Sequence, residues 1–209
     1  EFDAPETNFG RTSGTAFDRN SRFFAKLSQD GLSLTAAASQ RQNGNPAASF
    51  GVEFDDPANK QGDSQAYVNL GYTRQISADS EVSARLFWGE YRYDGSGTYA
   101  AAIVGDPPVS NRDRAHAEWW GSEVKLVTAW SARNKLVSGI EYQNSYRQKQ
   151  WVYDVDPYQS YLDDLRDIQR SGVFAQNDFQ WTDSLKVSVG GRYDKVGTAA
   201  GEFSPRLGL

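Results

Sequence analysis

Cysteine and methionine are both absent from the 209 residues, and there is a single histidine, His116. Without cysteine there is no disulfide framework, no thiolate metal site and no thiol chemistry. With one histidine, a Ser–His–Asp arrangement would have to be built on His116, and no nucleophile or orienting acid stands near it in a recognisable pattern. His116 therefore reads as a surface or girdle residue. Long apolar runs are missing too: no window holds the roughly 18 uninterrupted apolar residues of a transmembrane helix, so any membrane crossing must be made by strands. A basic surface is also lacking, with a net charge of -5 and a pI near 5.0, which argues against nucleic acid as a partner. The start has neither an initiator Met nor the basic and apolar regions of a signal peptide, so the expectation is a piece of a longer chain.

Apolar residues are scarce at 38%, and the mean hydropathy is -0.68, yet six Trp, eleven Tyr and eleven Phe make 13% of the chain aromatic. A disordered polar chain is depleted in that class. The combination suits a sheet that is apolar on one face only.

Alternation of period two supports this reading. From Leu185, the residues Leu185, Val187, Val189 and Tyr193 share one face, while Lys186, Ser188, Arg192 and Asp194 share the other. The same split separates Val82, Ala84, Leu86 and Trp88 from Glu81, Ser83 and Arg85, and Ala66, Val68, Leu70 and Tyr72 from Gln65, Asn69 and Thr73. Further strands are expected over 22–28, 32–42, 115–130, 135–153 and 172–181, with a last one begun at Phe203. The total is about nine strands. Short polar turns at 29–31, 77–80, 131–134 and 182–184 alternate with long loops at 43–63, 94–113, 154–169 and 195–202. In an up-and-down meander this sorts all short turns to one edge and all long loops to the other, the asymmetry of outer-membrane barrels. The predicted fold class is therefore all-β, an antiparallel up-and-down transmembrane β-barrel segment. A soluble β-sandwich or a lipocalin-like small-molecule binding protein, with the apolar faces turned inward, is the alternative.

Parity assigns Arg85, Glu123, Lys125, Glu141, Gln176 and Arg192 to the face opposite the apolar residues, the lumen of such a barrel, where they either guide a substrate or are simply solvated. Trp88, Trp119, Trp120, Trp130, Trp181 and Tyr193, with Tyr91, Tyr93, Tyr142 and Tyr146, fall near strand ends and are expected in two aromatic girdles. The acidic runs Glu53-Phe-Asp-Asp56 and Asp163-Asp-Leu-Arg-Asp167 lack the spacing and the glycine of an EF-hand and read as solvated loop charge. Gly190-Gly191 has no helix pattern or Lys-Ser/Thr after it, and reads as a place where a strand bends or packs closely rather than as a phosphate loop. No catalytic, cofactor or metal-ligating set is marked by spacing.

Several segments resemble the TonB-dependent receptors of Gram-negative outer membranes. Gly172-Val-Phe-Ala-Gln-Asn-Asp-Phe-Gln-Trp-Thr-Asp-Ser-Leu-Lys-Val-Ser-Val-Gly-Gly-Arg-Tyr-Asp194 is similar to a recurrent hairpin of that family, and Phe203-Ser-Pro-Arg-Leu-Gly-Leu209 to the strand that follows it. Ala48-Ser-Phe-Gly51 with Phe54-Asp-Asp-Pro57, Asn111-Arg-Asp-Arg114 with Glu118-Trp-Trp-Gly121, and Tyr161-Leu-Asp-Asp164 resemble its mid-barrel. The resemblance implies a barrel of about twenty-two strands, plugged by an N-terminal domain and set in outer-membrane lipid. It also implies import of a scarce nutrient, by default an iron-siderophore, with energy from the inner-membrane TonB complex. On this reading residues 1–209 are part of the barrel domain, and the plug lies outside them.

Overall fold

The computed structural model describes residues 3–101, 103 and 105–209. Among these residues a short 3-10 segment, Pro5–Gly10, precedes nine strands: β1 (Asp18–Gln29), β2 (Leu32–Gly44), β3 (Lys60–Ser77), β4 (Ser80–Tyr99), β5 (Val109–Ser131), β6 (Asn134–Asp154), β7 (Gln159–Thr182), β8 (Leu185–Val196) and β9 (Glu202–Gly208). Each pairs antiparallel with its sequence neighbour, giving one sheet in the order β1 to β9. The sheet does not close: β1 and β9 are its edges.

The turns at one edge are all two residues long. Asp30 and Gly31 both have positive φ, 47° and 83°, the type I′ geometry that Asp-Gly favours and that matches strand twist. The turns at Ala78-Asp79, Ala132-Arg133 and Asp183-Ser184 contain no such residues. Each follows a register shift, at 75–77, 128–131 and 180–182, the bulge that restores twist beside a turn of the wrong hand.

At the opposite edge the strands run further than alternation predicts. The expected loops of 94–113 and 154–169 shrink to 100–108 and 155–158, because β4 to β7 continue for 20, 23, 21 and 24 residues. At roughly 3.3 Å per residue β5 reaches about 75 Å, far more than an apolar band about 25 Å tall requires. Where both faces meet water the side chains stop alternating, but the ladder hydrogen bonds persist. Hydropathy therefore loses the strand before the backbone does.

Among the described residues no second layer covers the sheet. Val52 is the only buried apolar side chain among the described residues, while Leu86, Ile140 and Val189 stand 53%, 58% and 56% exposed. A sandwich would have turned these residues into a core, so the sandwich alternative is overturned by the single open layer.

Close packing within the layer comes from aromatic rings laid on cross-strand glycines. Phe87 lies over Gly121 and Trp119 over Gly89, and those two pairs face each other in register between β4 and β5. The Phe174 ring lies over Gly139 in the same way, where a Cβ would come within 2.5 Å of it. Gly191 is covered by Phe203, and a Cβ on Gly190 would stand 2.7 Å from the Ala175 carbonyl. This accounts for the glycine pair in β8.

Candidate functional site: the two faces of the sheet

Register converts parity into faces. Following the pairs Gly71–Arg85, Arg85–Glu123, Glu123–Glu141, Glu141–Gly172 and Gly172–Asp194 across β3 to β8 traces one row on one face. Lys125, Gln176 and Arg192 fall on that face as well, through Lys125–Gly139, Gly139–Phe174 and Phe174–Arg192, and through Gln176–Gly190. All six charged and polar candidates thus share the polar face.

Four of them form a chain of ion pairs. Glu123 and Glu141 stand directly opposite each other, a like-charge pair that would be unfavourable alone. Arg85 Nη2 bonds Glu123 at 3.1 Å on one side, and Arg192 Nη2 bonds Glu141 at 3.1 Å on the other, while Arg192 also holds Asp194 at 2.7 Å. Arg192 reaches Glu141 across β7 because the intervening residue is Gly172, where a Cβ would stand 2.6 Å from the Arg192 Nη2. Gln176 donates to Asp178 at 2.9 Å. Such a face suits water or a polar partner.

Higher on this face, toward the longer connections, the row turns aromatic. Arg85 stacks 5.1 Å from the Phe87 ring centre, followed on the same side by Trp119, Tyr91 and Tyr93. Tyr91 donates to Asp63 at 2.6 Å and Tyr93 to Gln61 at 3.4 Å. The segment 45–59 folds over this end. Asn59, only 2% exposed, donates to the Glu53 carbonyl at 2.6 Å and accepts from the Thr98 amide at 2.8 Å. Asp55 accepts from the Ser13 amide and hydroxyl at 2.8 and 2.5 Å, and from the Thr15 hydroxyl. These hydrogen bonds hold the Asp55 carboxyl below the usual carboxylate range. A recess of about 390 Å³ results, with Phe50, Val52, Tyr93, Tyr99, Asn111 and Asp113 in its walls.

The other face carries Leu86, Val124, Ile140, Val173 and Val189, flanked by two aromatic groups. Trp88 and Trp120 are a cross-strand pair, the Trp120 and Tyr142 rings lie 5.4 Å apart, and the Trp88 indole donates to the Tyr146 hydroxyl at 3.1 Å. Near the short turns Trp130 donates to Asn177 at 3.1 Å, and Phe179 and Trp181 meet edge-on at 5.8 Å. Tyr193 lies on this face opposite Val173 and Phe203.

Trp119 stands apart from the band to which the sequence reading assigned it, and so do Tyr91 and Tyr93. Trp119 and Trp120 are adjacent in a strand, so only one of them can face the apolar side; register with Trp88 gives that place to Trp120. The acidic runs are also resolved. Asp56 caps the Ala58 amide at 2.7 Å, and Asp163 and Asp164, on opposite faces of β7, pair with Lys149 and Arg166 respectively.

Residues 3–209 match the family model of the TonB-dependent receptor-like β-barrel. The chain belongs to that family. The family is one of outer-membrane transporters rather than enzymes. Among solved structures, BauA, the ferric preacinetobactin receptor from Acinetobacter baumannii, superposes with a TM-score of 0.57 at 9% identity over 91% of this chain. This chain spans 36% of that receptor, and at such identity the likeness is one of fold. No curated protein sequence matches.

Proposed function

We propose that this chain is a wall portion of a TonB-dependent outer-membrane importer of a scarce nutrient, with an iron-siderophore as the favoured substrate. The observation that carries this reading is a single sheet with one face apolar between two aromatic bands and the other face ion-paired. On this reading the apolar face meets lipid, the polar face lines the lumen against a plug formed elsewhere in the same protein, and the long-connection edge is extracellular. The spacing of the bands supports it: Trp120 and Trp130 are ten positions apart on β5, roughly 33 Å along the strand and about 25 Å in height at a tilt of about 40°.

The recess beside Tyr93 and Tyr99 is the proposed substrate contact. Flat phenol rings and amide or carboxylate groups at the mouth of a lumen suit a metal chelate, which presents both apolar and polar surface. Energy would come through the inner-membrane TonB complex acting on the plug. The structural neighbour is a ferric siderophore receptor, which makes ferric chelates the first cargo to test. In the intact receptor, Tyr93→Ala with Tyr99→Ala should lower uptake of radiolabelled ferric siderophores, tested as a panel of catecholate, hydroxamate and mixed-ligand types in iron-starved cells, by about tenfold for at least one type. Surface amounts should be unchanged. Uptake of every type at the wild-type rate would remove the recess from the pathway, and no iron uptake by the wild-type receptor would turn the search to cobalamin or saccharides.

A further inference from the structure

The apolar face ends abruptly one row beyond Trp88 and Trp120, where the next residues on the same side are Glu90 and Glu118, directly opposed across β4 and β5. His116 follows Glu118 on that side and pairs with Arg92. The three side chains converge. His116 Nε2 lies 3.0 Å from Glu90 Oε1 and 3.8 Å from Glu118 Oε2, and all three ligand atoms lie within 4.8 Å of one another.

The geometry points to a divalent transition-metal site, of the Zn²⁺ class, formed by Glu90, His116 and Glu118 on the outward wall of the sheet. With metal–nitrogen and metal–oxygen bonds of about 2.0–2.2 Å, ligands at the corners of a tetrahedron stand about 3.4 Å apart. The distances of 3.0 and 3.8 Å bracket that value, so small side-chain shifts complete the set. An imidazole with two carboxylates selects zinc-like ions over Mg²⁺ and Ca²⁺, which prefer oxygen donors alone. The three ligands are half-buried, with side chains 17–19% exposed. A recess of about 600 Å³ opens beside His116, between Arg92, Arg114 and Trp151, and gives an ion and its remaining water ligand access.

Two arginines compete with the ion. Arg92 Nε bonds Glu90, and Arg147 Nε lies 3.3 Å from Glu118 while its Nη1 lies 3.4 Å from His116 Nδ1. Arg147 can bond Nδ1 only when that nitrogen is unprotonated, which places the proton of a neutral ring on Nε2, toward Glu90. A metal on Nε2 moves the proton to Nδ1 and so expels Arg147. Both arginine side chains are largely exposed, 62% and 48%, and are free to swing away.

The site is independent of the transported substrate, so its test is too. The intact receptor, purified in detergent micelles and stripped with chelator, would be titrated calorimetrically with Zn²⁺ in the presence of millimolar Mg²⁺. One equivalent should bind, His116→Ala should abolish that binding, and Glu118→Gln should weaken it at least tenfold. Arg147→Ala should tighten it several-fold, which a loss of folding could not mimic. Absence of stoichiometric binding to the wild-type protein, unchanged binding to His116→Ala, or weaker binding to Arg147→Ala would each overturn the assignment.

Discussion

Gly172 has no side chain, and that gap lets Arg192 on β8 span β7 and neutralise Glu141 on β6. The row from Arg85 to Arg192 is thus a device of single residues: two arginines bracket two glutamates that would otherwise repel. Glycine acts differently at the tip of the first hairpin. Gly31 has a φ of 83°, and a Cβ there would collide with the Thr73 carbonyl of β3. Gly31→Ala should therefore destabilise the intact protein by at least about 1 kcal/mol, measured by urea unfolding from lipid vesicles. A change near zero would mean that the turn relaxes without cost.

At the scale of elements, the segment 45–59 and the N-terminal stretch are joined by one carboxylate, Asp55, with Ser13 and Thr15 as donors. Because these bonds hold its pKa below the ordinary value, the tie is fully present above the usual carboxylate range, near 3.9. It is lost only as the pH falls through the still lower pKa of the ordered state. Protection of the Ser13 amide from hydrogen exchange, relative to its intrinsic rate, should persist through the ordinary carboxylate range and be lost only at still lower pH. Asp55→Asn should exchange faster wherever Asp55 is ionised, and an equally slow Asn variant there would show that the charge is not what holds the segment.

Elements also show where alternation stops being informative. Over Leu185–Asp194 the apolar and polar residues separate cleanly, and the strand is where the pattern puts it. Over 154–169 the pattern reads as a loop, because Asp163, Asp164, Arg166 and Asp167 place charge on both faces, yet β7 begins at Gln159. The hydrogen-bonded ladder needs only backbone, so its outer reach is invisible to hydropathy.

The whole sheet divides its surroundings in two, and neighbouring residues report the division most sharply. Val124 stands on the apolar face at 44% exposure, and Lys125 follows on the polar face. If the apolar face meets lipid, Val124→Arg should cost about 2–4 kcal/mol for insertion into vesicles, while Lys125→Gln should change stability by no more than about 0.5 kcal/mol. Equal costs at the two positions would contradict the assignment of faces.

Residues in one strand determine their own parity, so the sequence by itself decided that Arg85, Glu123, Lys125, Glu141, Gln176 and Arg192 each oppose apolar neighbours. It also marked the four short turns, through polar residues local to three or four positions, but not the lengths of the opposite connections, one of which shrinks to 155–158. Only the tertiary structure decided which strands' residues meet, because register is a relation between strands and is not written in any one of them. His116 and Glu118 share a face by their spacing of two, a signal present in the sequence, but Glu90 joins them only because β4 lies against β5 in one register. The same register separated Trp119 from Trp120, laid Phe87 and Trp119 over glycines, and brought Arg192 to a glutamate 51 residues away.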